Sequence, residues 1–350
     1  MSDDIEIAGR KVGQGHPCFI IAEAGVNHNG GMEMARQLVD AAAQAGADAV
    51  KFQTFKSSKV VSSIAPKADY QLQTTGGGES QLEMVRRLEL PFEAFRALFA
   101  HAQEKGIVFL STPFDEESAD FLYDLGVSAF KIPSGEITNL SFLAHVARKG
   151  KPMVVSTGMS LLSEVETAVE AIEQTGNREI VLLHCVSNYP ADPADVNLRA
   201  MKTISDAFGF PVGYSDHTLG IEVPLAAVAM GACIVEKHFT LNRALPGPDH
   251  RASLEPQELA AMVRGIRIVE AALGHGRKEP AASEAEVANV ARRSLFAACD
   301  IPAGASLSEE MIAVLRPGTG LPPSMKSALK GRIARIAIRA GTALKEDMFE

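Results

Sequence analysis

Apolar and polar positions along this chain follow two alternating rhythms. Short apolar runs recur from residue 18 onward: CFIIAEAG, DAVKFQT, VFLST, AFKIPS, PMVVSTG, IVLLHCVS, PVGYSD and CIVEKHFT. These read as strands. Between and after them lie stretches such as MEMARQLVDAAAQAG, PFEAFRALFAHAQEKG, ESADFLYDLG, LSEVETAVEAIEQTG and PQELAAMVRGIRIVEAALG. Their apolar residues fall at three- and four-residue spacing and several stop at Gly, the pattern of helices and their C-termini. Eight such pairs in about 260 residues predict parallel strands joined by crossover helices, closed into a (β/α)8 TIM barrel. An open doubly wound sheet fits less well, because no glycine-rich GxGxxG turn follows any strand.

The rhythm breaks in two places. Between KFQTFK and the PFEAF helix lie about 35 residues, too many for an ordinary connection in a compact domain. They include Tyr70, the glycines Gly76 to Gly78 and a short helical pattern in SQLEMVRRLEL. Their apolar content predicts an ordered cover over one barrel mouth. After Gly274 the text turns charged and Ala-rich, so residues 1–275 read as the barrel, 276–291 as a linker and 292–350 as a small module rich in Gly and Pro. Within the module IPAGASLSEEMI resembles IRAGTALKEDMF, with six of twelve positions identical. That predicts two similar strand–turn–helical-turn units about a pseudo-twofold axis.

Nearly every predicted strand starts apolar and ends in polar side chains. Glu23 ends the first, Lys51 and Gln53 the second, Ser111 and Thr112 the third, Lys131 and Ser134 the fourth, Ser156 and Thr157 the fifth. His184, Ser187 and Tyr189 follow along the sixth, Ser215, Asp216 and His217 end the seventh, and Glu236, Lys237 and His238 the eighth. In a (β/α)8 barrel all these ends meet at the face that carries chemistry. Lys51 and Lys131, with the hydroxyls of Thr112, Ser134, Ser156 and Ser215, make a cationic bowl suited to a phosphate and a carboxylate. His217 and His238 end adjacent strands and can meet on one divalent ion, with open positions for water, as in a catalytic site. Glu23 and Glu236 suit either general acid/base work or orientation of the metal ligands. Lys237 alternates away from its neighbours and reads as an ion-pair partner toward the helices. His28 and Asn29 read as loop and N-cap residues.

Composition narrows the class further. The chain has 350 residues, is 46% hydrophobic and carries a net charge of −9, which argues against a general nucleic-acid binder. No run reaches the ~20 apolar residues of a membrane helix, and the polar, acidic start MSDDIEIAGRK is not a secretory signal. The four cysteines are widely spaced without a CxxC, the usage of buried thiols in a cytoplasmic protein.

The motifs IIAEAGVNHNG, KFQTFK, STPFD, KIPSGEITN, STGMS, LLHCVSNYPA, GYSDHT, EKHFT and PGPDH, followed by RRSL, IPAG and RPGTG, resemble those of the bacterial sialic acid synthases. That family comprises the N-acetylneuraminate, legionaminate and pseudaminate synthases, and the resemblance covers almost the whole chain. It implies a barrel followed by an antifreeze-like SAF domain, and a metal-dependent condensation of phosphoenolpyruvate with an N-acetylmannosamine-type sugar that releases phosphate by C–O cleavage. It implies Mn2+ as the metal, with Mg2+ or Co2+ as alternatives, held by His217 and His238. By motif, Lys51, Thr112, Lys131, Ser134, Ser156 and Ser215 would hold phosphoenolpyruvate. Glu23 would lie nearest the reacting carbons. Gln53, Glu136, Tyr189 and Asp249 would contact the sugar. The module would reach across a domain-swapped homodimer, with Arg316 on the N-acetyl group. Ser187 stands where some neuraminate-forming members carry an asparagine. N-acetylneuraminate synthase is the leading expectation, and a legionaminate or pseudaminate synthase acting on a diacetamido-trideoxyhexose the alternative.

Two other readings fit worse. A heptulosonate- or octulosonate-phosphate type of condensation needs a second cationic phosphate pocket, and no second arginine-rich strand end is present. An ice-binding role for the module needs a flat, uncharged face, whereas the module carries Arg316, Lys326, Lys330, Arg332, Arg335 and Arg339.

Overall fold

The computed structural model describes residues 4–350. It begins with a hairpin, β1 (Ile5–Ile7) antiparallel to β2 (Arg10–Val12). Eight parallel strands follow: β3 (Phe19–Gly25), β4 (Ala49–Thr54), β5 (Val108–Pro113), β6 (Phe130–Ile132), β7 (Met153–Ser156), β8 (Ile180–Cys185), β9 (Val212–Asp216) and β10 (Ile234–His238). Their order is β5-β4-β3-β10-β9-β8-β7-β6, and β5 lies beside β6 to complete the ring. All eight predicted strands are present, each followed by its helix, from Met32–Ala45 to Pro256–Leu273. This is the predicted (β/α)8 barrel.

Two separate cores hold it together. Outward residues such as Ile20, Val50, Phe109 and Leu182 pack under the helices. Inward residues Phe19, Ile21, Ala49, Leu110, Ala129, Val154, Val181, Leu183 and Ile234 fill the barrel together with Ile5, Ile7 and Val12 of the hairpin. The hairpin thus plugs the end where the strands begin. Sequence pattern did not reveal it, because three-residue strands are too short to display a period of two. Arg10 ties the hairpin to Asp48, which also accepts from the Ile20 amide at 2.8 Å and from Arg267 at 2.9 Å.

The inward positions change character along each stave, and this places the site. Phe19 and Ile21 give way to Glu23, Ala49 to Lys51, Leu110 to Thr112, Val154 to Ser156, and Ile234 to Glu236 and His238. One end of the tube is oil; the other is charge.

The long connection after β4 is the predicted cover. It holds three short helices, Ser57–Val60, Asp69–Thr75 and Gln81–Leu88. Ser80 and Glu83 form a capping box that starts the third. Glu89 accepts from the Ser57 amide at 2.9 Å and lies 3.5 Å from Lys56 Nζ, which pins the far end of this helix to the base of the insertion.

The chain divides into two compact units, the second being His275–Glu350. The predicted linker contains a helix, Ala285–Ala291, ahead of β11 (Ser294–Ala297) and β12 (Ile312–Leu315), which pair antiparallel. The internal repeat is real. Ile301 and Ile338 exchange backbone hydrogen bonds at 2.8 Å, and Gly304 N to Ala334 O (2.7 Å) mirrors Gly341 N to Ala297 O (2.8 Å). The 3-10 turns Glu309–Met311 and Glu346–Met348 occupy matching places. Each half lends its backbone groups to the other, which is the predicted pseudo-twofold. Among the described residues no helix is long and apolar enough to cross a membrane.

Candidate active site

The polar strand ends line one cavity of about 420 Å³ at the C-terminal mouth of the barrel. Its floor is an alternating network of charges. Lys51 Nζ donates to Thr112 Oγ1 at 2.6 Å and lies 2.8 Å from Glu23 Oε2 and 3.8 Å from Glu236 Oε2. Lys131 Nζ donates to Ser156 Oγ at 2.6 Å and to Ile132 O at 2.9 Å, and lies 3.6 Å from Glu236 Oε1. Glu236 Oε1 also accepts from Ser215 Oγ at 2.9 Å. Four buried charges balance in pairs here, which offsets part of their desolvation cost.

Two glycines shape this floor. A register shift sits between Glu23 and Gly25, where Gly25 has φ 53°. A side chain at Gly25 would press on Glu23 Oε1 (3.1 Å) and Gln53 Nε2 (3.3 Å), the pair joined by a 3.1 Å hydrogen bond. Glu23 enters the cup in alternation with the inward Phe19 and Ile21, and the bulge that follows it leaves room for the Glu23–Gln53 contact. At Gly158 a Cβ would lie 2.3 Å from Ser187 Oγ and 2.8 Å from both Cys185 Sγ and Ser134 Oγ. Only a glycine lets these groups crowd together, and its amide donates to Ser134 Oγ at 3.0 Å.

The carboxylates are pushed apart in acidity. Burial raises Glu23 to about 7, opposed by Lys51 and reinforced by Glu236. Burial also pushes Glu236 up, but Lys131 and Lys51 with the Ser215 hydrogen bond outweigh it and hold Glu236 far below the usual carboxylate range. One acid is thus poised near neutrality beside one kept ionised, a separation typical of acid–base sites. Burial alone raises Asp249 to about 6. Burial lowers Lys131, against the pull of Glu236.

His217 and His238 face each other across the mouth, ring centroids 5.5 Å apart, with Tyr189 4.2 Å from the first and 5.5 Å from the second. His217 Nδ1 donates to Val186 O at 2.6 Å, so its Nε2 carries the lone pair. His238 Nδ1 is buried without a partner. Burial lowers the pKa of both imidazoles, most strongly His238, keeping them neutral. Two neutral imidazole donors beside an ionised Glu236 fit a divalent cation. Among the described residues no group of three or more His, Cys, Asp or Glu could hold a metal ion. Water or substrate would have to complete the shell.

Most expected site residues converge on this cavity: Glu23, Lys51, Gln53, Thr112, Lys131, Ser134, Ser156, Ser187, Tyr189, Ser215, His217, His238 and Asp249 all line it. Glu136 does not. It sits half-buried on the 3-10 turn Ser134–Glu136, accepting from Asn139 Nδ2 at 2.8 Å. Arg316 follows β12 in the C-terminal unit. Several polar strand ends face outward instead. Thr54 and Ser111 bond each other at 2.7 Å, and His184 Nε2 bonds Val196 O at 2.6 Å.

Lys237 and Asp216 are also turned outward, each 0% exposed, as a cross-strand ion pair in direct register. Lys237 also donates to Thr218 O, while Asp216 accepts from Tyr214 Oη at 3.0 Å and Thr218 Oγ1 at 2.9 Å. This knot ties β9 to β10 immediately behind the two histidines. The outward ion pair expected of Lys237 is present, made with the next strand rather than with a helix.

The comparisons with known proteins bear on this geometry. Residues 38–278 match the NeuB family and residues 292–350 the SAF domain. The chain is 50% identical over 342 residues to the N,N'-diacetyllegionaminic acid synthase of Legionella pneumophila, covering 97% of this chain and 96% of that protein. The chain belongs to the NeuB family. It is a synthase of the sialic acid type, with a SAF domain after its barrel. The corresponding synthase of Campylobacter jejuni is 50% identical over 318 residues, 90% of this chain and 95% of its own. The crystal structure of an N-acetylneuraminic acid synthetase from Leptospira borgpetersenii superposes with TM-score 0.72 at 40% identity, covering 82% of this chain and 95% of that one. The 50% identities to the two legionaminic acid synthases support the legionaminate alternative better than the N-acetylneuraminate reading.

Proposed function

We propose that this NeuB-family enzyme condenses phosphoenolpyruvate with an N-acetylated mannosamine-type sugar, and that the natural acceptor is a 2,4-diacetamido-2,4,6-trideoxymannose. The observation that carries this reading is the 50% identity to the L. pneumophila legionaminic acid synthase along nearly the whole of both chains. The floor supports it, since its two ammonium groups and its hydroxyls suit a phosphate and a carboxylate together.

In this mechanism Lys51 and Lys131, with Thr112, Ser134, Ser156, Ser187 and Ser215, hold phosphoenolpyruvate. Its C3 bonds to the aldehyde carbon of the open-chain sugar, whose oxygen takes up a proton. Water adds at C2, with Glu23 accepting its proton. The C2–O bond to phosphate then breaks as the C2 hydroxyl gives up its proton to the departing phosphate oxygen, so that C2 becomes a ketone and inorganic phosphate leaves. Gln53, Tyr189 and Asp249 position the sugar on the way, with Glu136 at the rim. Arg316 of a second copy reaches the N-acetyl group in a homodimer. A divalent cation, Mn2+ first and Mg2+ or Co2+ as alternatives, would be held by His217 and His238 and would supply Lewis-acid polarisation of the aldehyde.

Phosphate release with phosphoenolpyruvate should be fastest, by kcat/KM, with the diacetamido-trideoxymannose, ahead of its altrose isomer and of N-acetylmannosamine. A lead for N-acetylmannosamine would restore the neuraminate reading. The double variant His217→Ala/His238→Ala should lose Mn2+ binding in a calorimetric titration. Undiminished binding would show that the ligands lie elsewhere.

A further inference from the structure

The catalytic floor occupies only part of the cavity wall. The same cavity is also lined by Phe55, Val61, Val85, Leu88 and Phe114, with the more exposed Val60. These side chains come from four separate segments, yet most form one packed cluster. Val26, Phe55 and Leu88 are buried against each other, Val85 and Phe114 pack on them, and the Phe55 and Phe114 rings meet edge-on at 6.2 Å. The anchoring of the cover helix through Glu89 and Ser57 holds this face in place. Its own side chains offer no hydrogen-bond partner. Gln81, one turn before Val85 on the same cover helix, and Tyr70 and Gln71 of the preceding helix also line the cavity.

We propose that this apolar face is the subsite for the deoxygenated carbon-6 end of the acceptor, and that it makes the enzyme selective for 6-deoxy over 6-hydroxy sugars. The inference rests on the synthase reading above. With the aldehyde held at the histidines and phosphoenolpyruvate on the lysines, the far end of the acceptor reaches the remaining wall. A methyl group there gains from leaving water. A hydroxymethyl group packed on these side chains loses hydrogen bonds to water that they cannot replace. The discrimination is bounded, because an apolar pocket rejects an added hydroxyl by only about 100-fold at most.

The test uses acceptors that differ at carbon 6 alone: N-acetylmannosamine and 2-acetamido-2,6-dideoxymannose, each with phosphoenolpyruvate. The wild-type enzyme should favour the 6-deoxy sugar by about 10- to 100-fold in kcat/KM. Val61→Thr/Val85→Thr, isosteric but carrying hydroxyls, should narrow that ratio by about tenfold, lowering the rate with the 6-deoxy sugar and raising it with N-acetylmannosamine. Equal use of the two sugars by the wild type, or a variant that changes both rates by one factor, overturns the subsite while the synthase reading stands. Release of phosphate with neither these sugars nor the diacetamido sugar overturns both.

Discussion

Glu23→Gln is expected to lower kcat by about 10²- to 10⁴-fold, the range for removing a positioned acid–base group, while the fold stays intact. Gln is nearly isosteric, and its amide can still accept from Gln53, which donates to Glu23 Oε1 at 3.1 Å. It cannot take a proton from water. The pH profile separates this role from mere positioning. Burial puts the Glu23 carboxyl near 7, so the ionised, proton-accepting form grows as pH rises through neutrality. Wild-type kcat/KM should therefore climb through that range, and the Gln variant should lose the limb. The proposed domain-swapped homodimer gives a second readout: if Arg316 of one copy serves the other's barrel, mixing Glu23→Gln with Arg316→Ala chains should give more activity than either variant alone, and no gain would argue against that exchange. Near-wild-type turnover in Glu23→Gln would remove this residue from the chemistry.

Lys237→Met should destabilise the protein by about 3–5 kcal/mol, because it leaves the Asp216 carboxylate buried without its counter-charge. Both partners are 0% exposed, and the other groups on Asp216 are a tyrosine hydroxyl and the hydroxyl and amide of Thr218. Those neutral donors remain in the variant but cannot replace the lost cation. Removing both charges in Asp216→Asn/Lys237→Met should cost much less than the single change, since no uncompensated charge is then buried. Urea unfolding of the three proteins measures this. A single variant within about 1 kcal/mol of wild type would mean that the pair does not lock β9 to β10. The location gives the result functional weight, as the pair sits one residue before His217 on one strand and His238 on the other.

The barrel and most of its site were legible in the chain because both follow from local periodicity. An apolar run that ends in Lys, His or Glu states, by itself, that a strand leaves a core and enters something polar. Eight such runs separated by helical patterns state that the ends meet. Lys51, Lys131, His217 and His238 were readable on that ground, and the C-terminal repeat was readable because its two halves share residues as well as shape.

Three features were decided only by tertiary structure. The close Glu23–Gln53 contact depends on the register shift at Gly25, which follows Glu23 and leaves no side chain in the way. The Asp216–Lys237 knot joins residues 21 positions apart through strand register, which no single strand encodes. The apolar wall is assembled from loop residues and one cover helix, whose period marks its own inward side but not the loop residues that join it. Periodicity reports how a segment divides core from solvent; it carries no information on which segments will share a wall, and in this protein the chemistry sits on the first kind of fact and the proposed choice of sugar on the second.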